Sequence, residues 1–388
     1  TLQQHETVRA AFPALQEVPY LNVGTYGIMP APALEVFLEA LEEHERFGVA
    51  SGRGKWKKVR QTREDIAQLL GCQAEQVTFT GNATDGTTLV LAGLSWEEGD
   101  EIITTDEEHE SIIHPLLYLQ RTKGVRMRRI PVSPDPEVML ARCEAVASPR
   151  TRLIAFSHVT CETGTRLPAK AICDWAAERG IWSHVDGAQS LSVFRMSVQE
   201  MGCDSYTSNG HKWLSGPKGT GIFYASPERM LQLSPAHVGA GSLERANVET
   251  GEAELWPTGR RFEFGTRASV LWIGLGASLE WFSSLGYENI EQYIAKLSGY
   301  FKDRILERPY MRLLTPKAFE DSSGLTTFAV KGKSIRDVGK GLREWRIPIR
   351  GIPHYDAIRI STAHFNNEAD IDTLMTALDQ IMEEPVED

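Results

Sequence analysis

Two residues define the chemistry open to this chain: Asp186, in Val185-Asp186-Gly187-Ala188-Gln189, and Lys212, in Ser208-Asn209-Gly210-His211-Lys212-Trp213. They stand 26 residues apart (212 − 186). The run Ile181–Val185 reads as a buried strand, so Asp186 falls at a strand end, and Lys212 falls in a Gly-His turn. Taken alone, a lysine is a solvated surface group. The spaced pair, with its flanks, meets the needs of pyridoxal phosphate. The lysine amine forms a Schiff base, and the carboxylate keeps the pyridine nitrogen protonated so that the ring withdraws electrons.

Other residues fall where such a cofactor and its substrate would need them. Gly81-Asn82-Ala83-Thr84-Asp85-Gly86 lies between the strand Gln76–Thr80 and the apolar helix Leu89–Leu94. Small residues at a helix start offer backbone N–H groups and a favourable dipole to a phosphate. Thr84 adds a hydroxyl there, and Asn209 and His211 can donate from the other side; a capped strand-to-helix turn is the plain alternative. Gln189, three residues after Asp186, can reach the phenolic oxygen of the cofactor or serve as a simple capping amide. His109 follows the strand Asp100–Thr104, where an imidazole can stack on a pyridine ring and relay protons, or merely finish the strand. Arg359, in Ala357-Ile358-Arg359-Ile360-Ser361, can clamp an α-carboxylate with its planar fork; Arg350 is the second choice for that role.

These residues need a scaffold that gathers strand ends. Between residues 70 and 225, short apolar runs at Val125–Ile130, Arg152–Ser157, Ser205–Thr207 and Thr220–Tyr224 join the strands already named. They alternate with amphipathic segments such as Ala169–Arg179. This alternation predicts an α/β fold with a mostly parallel, mixed seven-stranded sheet sandwiched by helices. Ligands of such sheets sit at the carboxyl ends of the strands, where Thr84, Asp186 and Lys212 fall. Residues 227–270 read as an extended connection. A long helix at Ser269–Leu285 leads to helix Ile290–Leu306, strand Leu325–Val330, helix Ser334–Trp345, strand Ala357–Ser361 and helix Asn367–Met382. The expected division is a large domain over 20–268 and a smaller α+β domain over 269–388, joined by residues 1–19.

Composition narrows the partners. With 41 Lys and Arg against 52 Asp and Glu, the net charge is −11, which argues against a broad nucleic-acid surface. The densest basic run, Arg53 to Arg63, reads first as a solvated helix face. No metal cluster is expected. Five cysteines, none in a CxxC pair, suit a reducing compartment, and no apolar run spans a membrane, so a cytoplasmic enzyme is expected.

Taken together, the chain resembles the class V family of fold-type-I pyridoxal-phosphate enzymes, which includes cysteine desulfurases, selenocysteine lyase, cystine C-S lyases and isopenicillin N epimerases. The resemblance is carried by Tyr20-Leu21-Asn22, the Asn82–Gly86 turn, His109, His158-Val159-Thr160-Cys161-Glu162-Thr163-Gly164, Asp186–Gln189, Gly210-His211-Lys212, Phe264-Gly265-Thr266, Arg359-Ile360-Ser361 and Asn366. It implies Lys212 as the Schiff-base lysine, Asp186 at the pyridine nitrogen, Gln189 at the phenolic oxygen and His109 stacked on the ring. It also implies phosphate contacts from Ala83, Thr84, Asn209 and His211, with Thr266 supplied across a homodimer. Arg359, Asn22 and Cys161 fall on the side of an amino acid substrate.

Three departures bear on the reaction. Desulfurases carry an essential cysteine in a loop before the carboxylate arginine, whereas residues 350–358 are short and hold none. Cys161 stands where desulfurases often have asparagine, and Asn209 replaces the usual serine or threonine. The expectation is therefore a C-S lyase that eliminates sulfur from cystine or an S-substituted cysteine, leaving pyruvate and ammonia. Epimerisation, transamination and desulfurisation start from the same residues and stay open.

Overall fold

The computed structural model describes residues 2–51 and 53–383. Seven strands form the larger sheet: β1 (Val77–Thr80), β2 (Glu101–Thr105), β3 (Arg126–Ile130), β4 (Thr151–Ser157), β5 (Trp182–Asp186), β6 (Ser205–Asn209) and β7 (Gly221–Ala225). Their order is β1-β7-β6-β5-β4-β2-β3. Only β7 runs antiparallel to its neighbours; the remaining pairs are parallel. Strands β1, β2, β5, β6 and β7 are buried at every residue. Helices on both faces make that possible, and they explain why the strands read as continuous runs rather than alternating ones. The period of two still shows in the packing. Ile103, Ile154 and Phe156 enter one core with Ile66, Ile172 and Leu275, while Ile102, Leu153 and Ala155 enter the other with Val90, Ile112 and Leu116. The edge strand β3, Arg-Met-Arg-Arg-Ile, is mostly exposed, and its charges suit an edge that must not pair further.

The second sheet consists of β10 (Met311–Leu313), β11 (Leu325–Val330), β12 (Arg350–Ile352) and β13 (Ala357–Ser361), ordered β10-β11-β13-β12 and antiparallel throughout. Phe328, Ile358 and Ile360 pack with Phe301, Leu374 and Leu378 from the helices Tyr287–Leu306 and Glu368–Glu383. The N-terminal helix Leu2–Ala10 joins this half, where Arg9 makes two 2.7 Å hydrogen bonds to Asp370. Helix Ser269–Leu285 bridges the two sheets: Ile273 and Leu275 enter the large core, and Phe282 packs with Trp213 and Phe365.

Sequence patterning misses what burial does not mark. The expected extended connection over 227–270 contains a short helix, Pro227–Gln232, a hairpin of β8 (Leu243–Asn247) and β9 (Glu252–Leu255), and a 3-10 turn at Gly259–Phe262. The hairpin strands are exposed along nearly their whole length, so neither face carries an apolar stripe. Strands β10 and β12 have three residues each, too few for a period. The phosphate-turn helix starts at Ala83, six residues ahead of its apolar run, because Asn82 caps it by accepting from the Asp85 N–H at 2.9 Å. The basic run forms the helix Arg53–Leu70, with Lys57, Lys58 and Arg60 exposed. Arg63 instead bonds Glu263 at 2.8 Å over the face of Phe79, and the side chain of Arg53 lies outside the described residues.

Candidate active site

The carboxyl ends of β1, β2, β4, β5 and β6 meet along one rim. Strand β6 ends at Asn209, and the turn after it is closed by its own backbone. Gly210 donates to the Thr220 carbonyl at 2.9 Å and accepts from the Gly216 N–H at 2.8 Å, while the Lys212 carbonyl accepts from the Ser215 N–H at 2.9 Å. The Gly27 N–H donates to the His211 carbonyl at 2.7 Å. A Cβ on Gly27 would stand 2.2 Å from the Lys212 carbonyl oxygen, so only glycine lets the Asn22–Gly27 segment cross here. The Lys212 backbone is thereby fixed. Its ammonium has no hydrogen bond or ion pair among the described residues. Burial pushes its pKa down to about 8, with Asp186 opposing and the positive charge of Arg359 assisting.

Asp186 closes β5 and is buried. One carboxylate oxygen accepts from the Ala188 N–H at 2.8 Å; the other has only the Ser111 hydroxyl, at 3.5 Å. Burial raises its pKa, and the Ala188 N–H and the Lys212 charge oppose the rise. Such a carboxylate keeps accepting capacity for a cationic N–H.

His109 caps the helix Glu110–Lys123, its Nδ1 accepting from the Ser111 N–H at 3.1 Å. A nitrogen that accepts a backbone N–H carries no proton, so the ring is the Nε2–H tautomer. Its pKa is lowered, first by desolvation against the cleft walls and then by Lys212 and Arg350. The same Ser111 hydroxyl stands between the two, 3.0 Å from His109 Nδ1 and 3.5 Å from Asp186, with its one proton open to either.

Gln189 is buried and held at both ends. Its Nε2 donates to the Gly24 carbonyl at 2.9 Å, and its Oε1 accepts from Trp213 Nε1 at 2.9 Å. One amide proton remains for another acceptor. At the turn after β1, the Ala83 N–H is spent on Asn209 Oδ1 at 2.9 Å. The Thr84 N–H and hydroxyl have no partner among the described residues, and the amide nitrogen of Asn209 faces no partner either. His211 sits beside Thr220, with Nδ1 3.4 Å from its carbonyl, and its ring lies 5.9 Å from Tyr26. Thr266 is exposed, next to the half-exposed Phe264, and makes no hydrogen bond among the described residues.

The other wall comes from the smaller sheet. Arg359 is 4% exposed. Its Nη1 donates to the Cys161 carbonyl at 2.6 Å and its Nη2 reaches the Thr25 hydroxyl at 3.4 Å, which in turn donates to Asn22 Oδ1 at 2.8 Å. Arg359 Nε is buried without a partner among the described residues, a state that costs about 1–3 kcal/mol unless a ligand satisfies it. Arg350 on β12 stands directly opposite Arg359 in register, hence on the same face of the hairpin. It is exposed, has no ion-pair partner among the described residues, and depresses the pKa of both Lys212 and His109. The Cys161 thiol lies 3.9 Å from the Glu107 carbonyl, and burial pushes its pKa up to about 12. It is therefore a neutral thiol at physiological pH.

Sequence reading passed over Ser111, Thr25, Glu107 and Glu108. Glu108 is buried and accepts from Thr105, the Ser157 N–H and the Ser157 hydroxyl; burial raises its pKa to about 7. Three consecutive acids, Asp106, Glu107 and Glu108, directly after a buried strand at the end of the sheet where ligands bind, are the signal that could have drawn attention to them.

Residues 44–374 match the family described as Aminotransferase class-V. Isopenicillin N epimerase of Streptomyces clavuligerus is 32% identical, across 83% of this chain and 84% of its own length. A cysteine desulfurase of Escherichia coli is 30% identical across 97% and 98%. Among solved structures, the cystine C-S lyase C-DES in complex with its product cysteine persulfide superimposes with a TM-score of 0.88 at 29% identity, covering 96% of this chain and 99% of that one. A C-DES mutant with glycine covalently linked to its pyridoxal phosphate gives 0.89 at 28% identity, covering 97% and 99%. The free Lys212 amine, the half-satisfied Asp186, the unpartnered Thr84 donors and the orphaned Arg359 Nε fit pyridoxal phosphate and an amino acid. The chain belongs to the class V aminotransferase family and carries its fold-type-I architecture and pyridoxal-phosphate site.

Proposed function

We propose that this enzyme is a C-S lyase that eliminates sulfur from cystine or a related S-substituted cysteine. One observation carries the choice of substrate: Arg350 and Arg359 face each other across β12 and β13. Like charges directly opposite in a sheet are destabilising, and an anion lying between them relieves the repulsion. An α-carboxylate engages Arg359, and a substrate with a second carboxylate beyond its sulfur engages Arg350. Cystine is such a molecule.

The roles follow from position. Lys212 would anchor the cofactor covalently, Asp186 would pair with its ring nitrogen, His109 would pack on its ring and Gln189 would donate to its phenolic oxygen. Thr84, Asn209 and His211 would hold the phosphate, beside Ala83, whose N–H is already bonded to Asn209. Bound pyridoxal phosphate supplies an aldehyde for the substrate amine and a ring that draws electrons from Cα. Arg359 then holds the carboxylate, with Asn22 and Cys161 lining the same pocket. Lys212, whose pKa near 8 leaves part of it neutral at physiological pH, removes the Cα proton. Asp186 would keep the ring nitrogen protonated; the electron pair freed at Cα forms the Cα–Cβ double bond, and sulfur leaves with the pair of the Cβ–S bond. Water converts the remaining unsaturated amino acid to pyruvate and ammonia. The high Cys161 pKa and the absence of a cysteine in 350–358 leave no thiolate to attack the substrate sulfur.

The similarity to isopenicillin N epimerase supports a second reading, in which the Cα proton returns from the opposite face. A panel of amino acids, assayed for pyruvate, ammonia, keto acid and the D-enantiomer, separates the two. Pyruvate and ammonia from cystine support elimination; a changed configuration with no sulfur released would replace it with epimerisation.

We also propose a homodimer in which Thr266 completes the phosphate site of the partner subunit. Leu34, Leu38 and Phe47 on the helix Ala31–Phe47, Val49 in the 3-10 turn Gly48–Ser51 and Trp56 on the helix Arg53–Leu70 are exposed, apolar surface that isologous pairing would cover. Light scattering that shows a fully active monomer would rule this out.

A further inference from the structure

Glu107 follows the carboxyl end of β2 by two residues and is turned away from solvent, 3% exposed. One of its carboxylate oxygens accepts from the Thr163 N–H at 3.2 Å and the Thr163 hydroxyl at 2.5 Å, and the other accepts from the Tyr355 hydroxyl at 2.8 Å. These two partners lie on opposite sides of the cleft. Thr163 belongs to the 160–165 loop, whose Cys161 carbonyl grips Arg359. Tyr355 ends the 3-10 turn Pro353–Tyr355, which connects β12 to β13 and so lies between Arg350 and Arg359. The same loop reaches the smaller sheet twice more: the Thr315 hydroxyl donates to the Thr163 carbonyl and the Thr327 hydroxyl to the Glu162 carbonyl, each at 2.5 Å. His354, stacked on Tyr355 at 4.7 Å, adds an exposed contact to Glu162 at 3.6 Å.

The turn itself needs such support. Asp356 adopts φ 45°, a left-handed conformation that costs energy outside glycine. Beyond the strand pairing and its own Asp356 N–H to Pro353 carbonyl bond, the turn is held by the Asp356 carboxylate contact to the Ile335 N–H, the Tyr355 bond to Glu107 and the His354 contact. A buried carboxylate that accepts from both sides of the cleft is suited to setting the distance between them.

We infer that Glu107 and Tyr355 are positioning residues: they latch the β12–β13 hairpin to the larger sheet and thereby place both arginines over the substrate carboxylates. The inference rests on the reading of Arg359 as a carboxylate clamp, and it is independent of whether elimination or epimerisation follows.

Tyr355→Phe removes only the hydroxyl, and Glu107→Gln only the charge, so both variants are close to isosteric; thermal midpoints check their folding. Three readouts are taken on the holoenzyme: the Kd of glycine by calorimetry, amide hydrogen exchange of residues 350–358, and cofactor content. Tyr355→Phe should weaken glycine about tenfold, the scale of one charge-assisted hydrogen bond, and speed exchange in 350–358 with cofactor content unchanged. KM should rise by a similar factor while kcat moves less than about twofold. The double variant should weaken glycine by less than the product of the two single losses, because both act on the Tyr355–Glu107 contact. Unchanged glycine affinity and exchange in Tyr355→Phe would overturn the latch. If Arg359→Ala keeps wild-type glycine affinity, the clamp reading falls first; if no sulfur substrate is cleaved yet Tyr355→Phe still loosens glycine, the latch stands and the lyase reading falls.

Discussion

Asp186 and Arg359 are both buried charges, yet the two halves of the cleft hold them differently. Asp186 ends a parallel strand and is bonded by its own next turn, two residues on. Arg359 lies in the middle of an antiparallel strand and is bonded by residues 161 and 25, far away in the chain. The larger sheet thus sets its key residues at strand-to-turn junctions, where the nearest bonds are local, and cross-links those junctions with longer-range bonds such as Ala83 to Asn209. The smaller sheet builds its half from contacts that exist only once the whole chain is folded. The first arrangement suits a resident cofactor that must stay fixed; the second suits a substrate that enters and leaves.

The contrast predicts separable failures. The largest effect belongs to Lys212→Ala, which should lose the absorbance of lysine-bound cofactor and about 10⁴-fold in kcat, the upper end for a lost acid–base group. Retained turnover would remove Lys212 from its assigned role. Next comes Arg359→Ala. Losing one partner of a buried charge pair costs about 2–5 kcal/mol, so kcat/KM should fall by roughly 30-fold to 4,000-fold while the cofactor spectrum is unchanged. A spectrum that changes as much as KM would mean the two halves are not independent. Arg350→Ala is exposed and solvent-screened, so about 1 kcal/mol, near fivefold, is expected. It should appear with cystine and not with a substrate lacking the second carboxylate; an equal loss with both would withdraw Arg350 from specificity. Smallest is Cys161→Ser, expected within about threefold of the parent, since a neutral, partly buried thiol is replaced by a hydroxyl of similar size. A collapse of activity would make that thiol a reactant.

Legibility in the sequence follows the same division. The strand ends at Asp186 and the turn at Lys212 could be read because each residue sits beside the apolar run that fixes it. Thr84 was readable for the same reason, although its helix begins earlier than the apolar residues suggest. Arg359 could be named as a clamp from its strand, but nothing local shows that Cys161 and Thr25 would hold it. That Arg350 stands opposite depends on the β12–β13 register, and a three-residue strand carries too little pattern to set one. Ser111 and Glu107 escaped because their meaning lies in their partners: Ser111 stands between His109 and Asp186, and Glu107 joins residues 163 and 355.

The central claim is that sulfur leaves from the substrate without passing through a protein thiol. The direct measurement is the intact mass of the holoenzyme, sampled during turnover of cystine alongside quantitation of pyruvate and alanine. The account predicts pyruvate matching the cystine consumed and a protein mass that does not change. A protein that gains the mass of a sulfur atom while alanine accumulates would contradict it.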